Sequence, residues 1–129
     1  MSASEGARWL EKAEEHLRLA KLALEKGIYS LSCFHPQQAA EGALRGVLVA
    51  FARVHLLTHS LSRLAEEAKS LKGLRLPPPK DALEELEDHY LQARYPNARI
   101  SQYDRGEAER AYAIAEGIVD ECRKLLAQD

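Results

Sequence analysis

β-Branched residues are scarce in this chain: Val, Ile and Thr together fill nine of 129 positions. Strands are built mainly from such residues, so a sheet protein is not expected. Cysteine is almost absent as well, with only Cys33 and Cys122, far apart and in apolar surroundings. A secreted scaffold of this size needs more cross-links, and the two read as buried free thiols of a reducing, cytoplasmic compartment. The seven glycines are scattered and form no phosphate-cradling loop. No apolar run approaches the ~18 residues of a membrane span. Residues 1–15 are too polar and acidic for a secretory signal. A dominant charge is lacking too. Against 20 Asp and Glu stand 18 Lys and Arg, so no strong overall field draws in nucleic acid or a membrane surface.

What the chain does have is leucine and alanine, twenty of each. Both are strong helix formers. The length, 1–129, makes one domain that can bury a core without disulfide or metal. Leu10, Ala13, Leu17, Ala20 and Leu24 step by three and four, which predicts a first helix from Ala7 to Leu24 with Ser4 as its cap and Gly27 as its left-handed end. The second helix, expected from about Tyr29 to Leu57, is apolar nearly all round between Ala39 and Ala52. Such a helix belongs in the middle of a bundle or in a subunit interface. Pro36 either opens it or kinks a helix begun at Ile28, and the apolar Tyr29, Leu31 and Phe34 favour the kink.

A short third helix is expected over Ser60–Leu71, closed by Gly73, before an extended Leu76-Pro77-Pro78-Pro79-Lys80 connector. Asp81 with Glu84, and Asp104 with Glu107, have capping-box spacing for two further helices, the former stopped by Pro96. Ala108, Ala111, Ala115, Ile118, Cys122 and Leu125 line the last one. The fold class expected is all-α: an antiparallel up-and-down bundle of four long helices and one short helix.

Recognisable chemistry is thin. Glu-x-x-His and His-Glu-x-x-His are absent, and His55 and His59, four apart, lie where the second helix should fray. No metal site is expected there. Two polar groupings stand out instead. Gln38, Glu41 and Arg45, with Gln37 beside them, step through the apolar second helix in the favourable acid-before-base order. They form either its solvent face or a partly buried network. Tyr90, Arg94, Tyr95 and Pro96, followed by Arg99, Ser101, Tyr103 and Arg105, place forked donors beside rings. That combination can hold phosphates and stack bases, or can simply be a solvated helix end.

In this order, Trp9-Leu10, the stretch from Phe34 through Gln37-Gln38-Ala39-Ala40-Glu41 to Ala43-Leu44-Arg45, His59-Ser60-Leu61, the run from Tyr90 to Pro96, and the final helix from Ala108 resemble the HEPN family (higher eukaryotes and prokaryotes nucleotide-binding domains). The resemblance covers essentially the whole chain. It implies a helical bundle that dimerises and works with a small, separately encoded nucleotidyltransferase, often as a toxin–antitoxin pair. Many members are metal-independent ribonucleases whose site is an Arg followed after about four to six residues by a His, a sensible pairing for proton transfer and phosphate-charge stabilisation. Arg94 matches the arginine. Arg99, Ile100 and Ser101 stand where the histidine should fall, and no histidine follows His89. Tyr103, two beyond Ser101, matches a tyrosine that the partner enzyme modifies in some members.

Without an imidazole, Arg94 can hold a phosphate but cannot shuttle a proton. The expectation is therefore a non-catalytic HEPN-type homodimer that binds nucleotide or RNA phosphate through Arg94, Tyr95, Arg99 and Tyr103. Gln38, Glu41, Arg45 and His59 are the polar family-motif residues. No catalytic residue, metal, cofactor or membrane contact is expected. A ribonuclease using Arg94 with Arg99 and Tyr103, and a purely structural dimer, are the alternatives.

Overall fold

The structure, a computed structural model, describes residues 2–72 and 80–127. It contains helices α1 (Ser2–Glu25), α2 (Tyr29–Ala52), α3 (Leu61–Lys72), α4 (Lys80–Gln92) and α5 (Arg105–Leu126), and no strand among the described residues. The all-α reading holds. The helix α2 packs against each of the other four, and its Ala39, Ala40, Ala43, Leu44, Val47 and Leu48 are almost wholly buried. Each buried Leu or Val there adds about 1.5–3 kcal/mol. Its all-round apolarity is thus satisfied inside the bundle and requires no second subunit. The predicted stripes of α1 and α5 face it, from Ala13, Leu17 and Ala20 on one side and Ala108 to Leu125 on the other.

Two devices turn the chain between α1 and α2. Gly27 adopts φ 73°, Gly27 N–H reaches the Leu24 carbonyl at 3.1 Å, and Ile28 N–H reaches Ala23 at 2.9 Å. This crossed pair closes the helix as predicted. The antiparallel partner then lies close because Gly42 and Gly46 of α2 face Trp9 of α1, and Gly46 faces the backbone of Gly6.

Several boundaries differ from the expectation, though not the start of α2. That helix begins at Tyr29 and runs through Pro36 as expected, and Ser32 turns its hydroxyl back to the Ile28 carbonyl at 2.7 Å. It stops at Ala52, short of Leu57, where Arg53 takes a left-handed φ of 54°. The helix α4 stops at Gln92, before the Tyr95-Pro96 step that cannot continue it. Ser4 and Asp81 lie inside first turns rather than ahead of them, and the Asp81 carboxylate accepts from the neighbouring Ala82 N–H at 3.0 Å. Asp104 does cap α5, accepting from Glu107 N–H at 2.8 Å. Gly73 and the proline connector through Pro79 lie outside the described residues.

Candidate functional site

The helix α2 carries its polar residues as a buried network rather than a solvent face. Gln37 is fully buried and donates through Nε2 to Glu41 Oε1 at 2.9 Å, and Gln38 donates to Gln37 Oε1 at 2.7 Å. Arg45 Nε reaches Glu41 Oε2 at 3.1 Å. The rest of that guanidinium leaves the helix, donating to the carbonyls of Leu56 (2.6 Å) and Thr58. Residues 53–60 are thereby held against the bundle, and α3 starts behind them with Ser60 Oγ accepting from Arg63 N–H and Glu87 from Leu61 N–H. A buried carboxylate is tolerable in this position because it meets a guanidinium and hydrogen bonds on both oxygens.

The pinned segment delivers His59. Its Nδ1 lies 3.2 and 3.1 Å from the two Glu41 oxygens, and its ring stacks on Tyr90 of α4 at 4.1 Å, 20° from parallel. Arg94 places its guanidinium 4.8 Å from the same Tyr90 ring and 5.3 Å from Tyr95. The two polar groupings of the sequence therefore meet in space, joined by Tyr90. His55 is exposed and does not share a helix face with His59, since both lie in the non-helical 53–60 segment. Among the described residues no three metal-ligating side chains come together.

The loop after α4 separates two arginines expected to act alike. Arg94 is exposed and pairs with no carboxylate among the described residues. Arg99 is mostly buried: its Nη2 reaches Glu107 at 2.9 Å and Ser101 Oγ at 3.0 Å, and its guanidinium covers the Tyr103 ring at 4.0 Å. The Glu107 hydrogen bond raises the Arg99 pKa further. Arg99 is tied through Nη2 to Glu107 and Ser101, while its buried Nη1 has no hydrogen-bond partner among the described residues. Tyr103 is also occupied. Its hydroxyl is 2.8 Å from Nδ1 of the buried His89, and burial raises its pKa. The same burial, with Arg99 nearby, lowers the pKa of His89 and keeps it neutral. Tyr95, by contrast, is about half exposed.

All four expected ligands, Arg94, Tyr95, Arg99 and Tyr103, line one open groove of about 690 Å³ that reaches Tyr29 and Ser30 at the start of α2. His59, Tyr90, Leu91 and Gln92 line an adjoining surface on the other side of the α4 end. Cys33 and Cys122 are buried and free, with burial pushing both thiols up to about 12, so neither is a nucleophile at neutral pH. Tyr90 as the bridge, His89 as the partner of Tyr103 and Glu107 as the partner of Arg99 were not singled out by sequence reasoning. These contacts join separate elements, and no helical spacing announces them.

The model of the HEPN domain matches residues 7–125. A protein of Methanocaldococcus jannaschii named "Putative toxin MJ1304" is 27% identical over 135 residues, which span 93% of this chain and 87% of that one. The crystal structure of TT1696 from Thermus thermophilus aligns with a TM-score of 0.79 at 32% identity, covering 96% of this chain and 98% of that one. A HEPN domain protein of Thermotoga maritima gives a TM-score of 0.69 at 28% identity, covering 95% and 99%. No helix among the described residues is long and apolar enough to cross a membrane.

Proposed function

The chain belongs to the HEPN domain family, and on that footing we propose that it is a phosphate-holding helical subunit for a nucleotide or RNA, with Arg94 as the contact. One observation carries this reading. Arg94 is an exposed guanidinium without a carboxylate partner among the described residues, set on the rings of Tyr90 and Tyr95. Forked donors beside aromatic faces suit a phosphate with an adjoining base. The loop route to RNA cleavage lacks its imidazole, since positions 99, 100 and 101 are Arg, Ile and Ser. The alternative using Arg99 and Tyr103 loses support as well, because one is bound to Glu107 and the other to His89.

The subunit works as a homodimer with a separately encoded nucleotidyltransferase, in a toxin–antitoxin type of pair. Family membership supports this reading, and the name of the Methanocaldococcus relative supports its toxin side alone. The deciding experiment is RNA binding and RNA cleavage in EDTA by the purified protein and its Arg94→Ala variant. Binding by the wild type that falls about ten-fold or more in the variant, with no cleavage by either, is the expected outcome. Cleavage that the variant abolishes would establish an active ribonuclease. Wild type and variant with equal affinity would leave a structural dimer.

A further inference from the structure

His16 of α1 and His35 of α2 turn ring nitrogens toward each other, with their Nδ1 atoms 3.0 Å apart and their ring centroids 5.2 Å apart. Neither residue lines the grooves beside the end of α4, so the pair is separate from the phosphate contact at Arg94. Two neutral imidazoles can share this contact only if one Nδ1 carries a hydrogen and the other a lone pair. No carboxylate hydrogen-bonds to either ring among the described residues, unlike His59, whose Nδ1 meets Glu41. The charges that act on His16, Lys12 and Glu15, pair with each other at 3.4 Å. Both rings are half-buried, and burial lowers both pKa values, so neither ring is charged at neutral pH.

Two imidazole nitrogens at this spacing make a bite for a metal ion. With metal–nitrogen bonds of about 2.0–2.1 Å, ligands at a right angle lie about 2.9 Å apart and tetrahedral ligands about 3.4 Å apart. The observed separation falls between the two, so an ion requires the rings to turn rather than the helices to part. The helices themselves are fixed close together by Gly42 and Gly46 against Trp9. The hydrogen on one Nδ1 moves to that ring's Nε2, which is the other neutral tautomer, and both Nδ1 lone pairs then face the ion. We propose that His16 and His35 form a two-histidine site for a divalent transition-metal ion of the imidazole-binding class (copper, nickel or zinc), with water in the remaining positions, and that the ion clasps α1 to α2. Magnesium and calcium, which take oxygen ligands, are not held there.

The test is thermal melting at pH 7.5 in NiCl2, beside MgCl2 and EDTA. An ion that binds only the folded chain raises the melting temperature by mass action, and an excess of about ten-fold over the dissociation constant should give a shift of about 5 °C. MgCl2 should give none. His16→Gln and His35→Gln should each lose the nickel shift, while His55→Gln, which removes an exposed histidine outside the pair, should keep it. A second measurement needs no variant, in case either glutamine disturbs the packing. In an NMR titration of the wild type, paramagnetic nickel should broaden the ring protons of His16 and His35 before those of His55 and His59. The site is wrong if nickel gives no shift, if magnesium gives an equal one, if the shift survives in a folded His16→Gln, or if broadening begins at His55 or His59.

Discussion

Arg94 and Arg99 share one loop, yet their surroundings make them different residues. The side chain of Arg99 is 17% exposed and that of its partner Glu107 is 16% exposed, with Tyr103 beneath the guanidinium. Removing Arg99 strands a mostly buried carboxylate and uncovers a ring. Arg99→Ala should therefore cost about 2 kcal/mol, by the mechanism of a broken buried pair. Arg94 leaves nothing unpaired behind it, and Arg94→Ala should stay within about 0.5 kcal/mol of wild type. Urea unfolding of both variants checks the contrast. Equal losses would make Arg94 a structural residue and remove the argument for an open cation. From the sequence the two looked equivalent, because Glu107 lies across a non-helical loop from Arg99 and no periodic rule pairs them. The contact of the Tyr103 hydroxyl with His89 was illegible for the same reason, since it joins a loop to α4 across fourteen residues.

Among the elements, the α1–α2 seam is set by absence of side chains. A Cβ on Gly46 would lie 2.9 Å from the Gly6 carbonyl oxygen and 3.1 Å from the Trp9 Cβ. Neither atom is the loose end of a flexible side chain, so the helices must move apart. Overpacking of this kind costs about 1–3 kcal/mol, against a gain of about 1 kcal/mol when Ala replaces Gly in a helix. Gly46→Ala should thus be destabilising by up to about 2 kcal/mol. Gly117 is the opposite case. It sits inside α5, and a Cβ there meets nothing within 4 Å. Gly117→Ala should stabilise by about 1 kcal/mol, the propensity term alone. Thermal melting of the pair separates the two effects, and a stabilised Gly46→Ala would mean that the seam is looser than its distances indicate. The stripes of α1 and α5 were readable from leucines and alanines at three- and four-residue steps, since those steps are what a buried helix face imposes. The end of α2 was not. Arg45 draws the Leu56 and Thr58 carbonyls away from the helix, and Arg53 adopts a conformation that residues with a Cβ rarely take.

At the scale of the whole molecule, the candidate site is assembled from α2, the 53–60 segment, α4 and the loop after it. Glu41, His59, Tyr90 and Arg94 meet only because the bundle brings them together. This explains why the fold could be read from the chain while the site appeared as two unrelated groupings. The same packing determines how the molecule responds to acid. His89 is buried, and His16 and His35 are half-buried with their Nδ1 atoms 3.0 Å apart. Burial lowers all three pKa values from the ordinary 6.5, and for His16 the proximity of His35 lowers it further. Above 6.5 these rings are neutral in both folded and unfolded chains and favour neither. Below it the unfolded chain takes up protons that the folded chain refuses, so stability falls as pH drops from 6.5 through the lowered folded values. The melting temperature should therefore be clearly lower at pH 5 than at pH 7.5. Replacing His16 and His35 together by Gln should flatten that difference, because two of the three protons are no longer in play. A wild type that melts at the same temperature at both values would show that the imidazoles are hydrated in the folded protein and that the His16–His35 contact does not persist in solution.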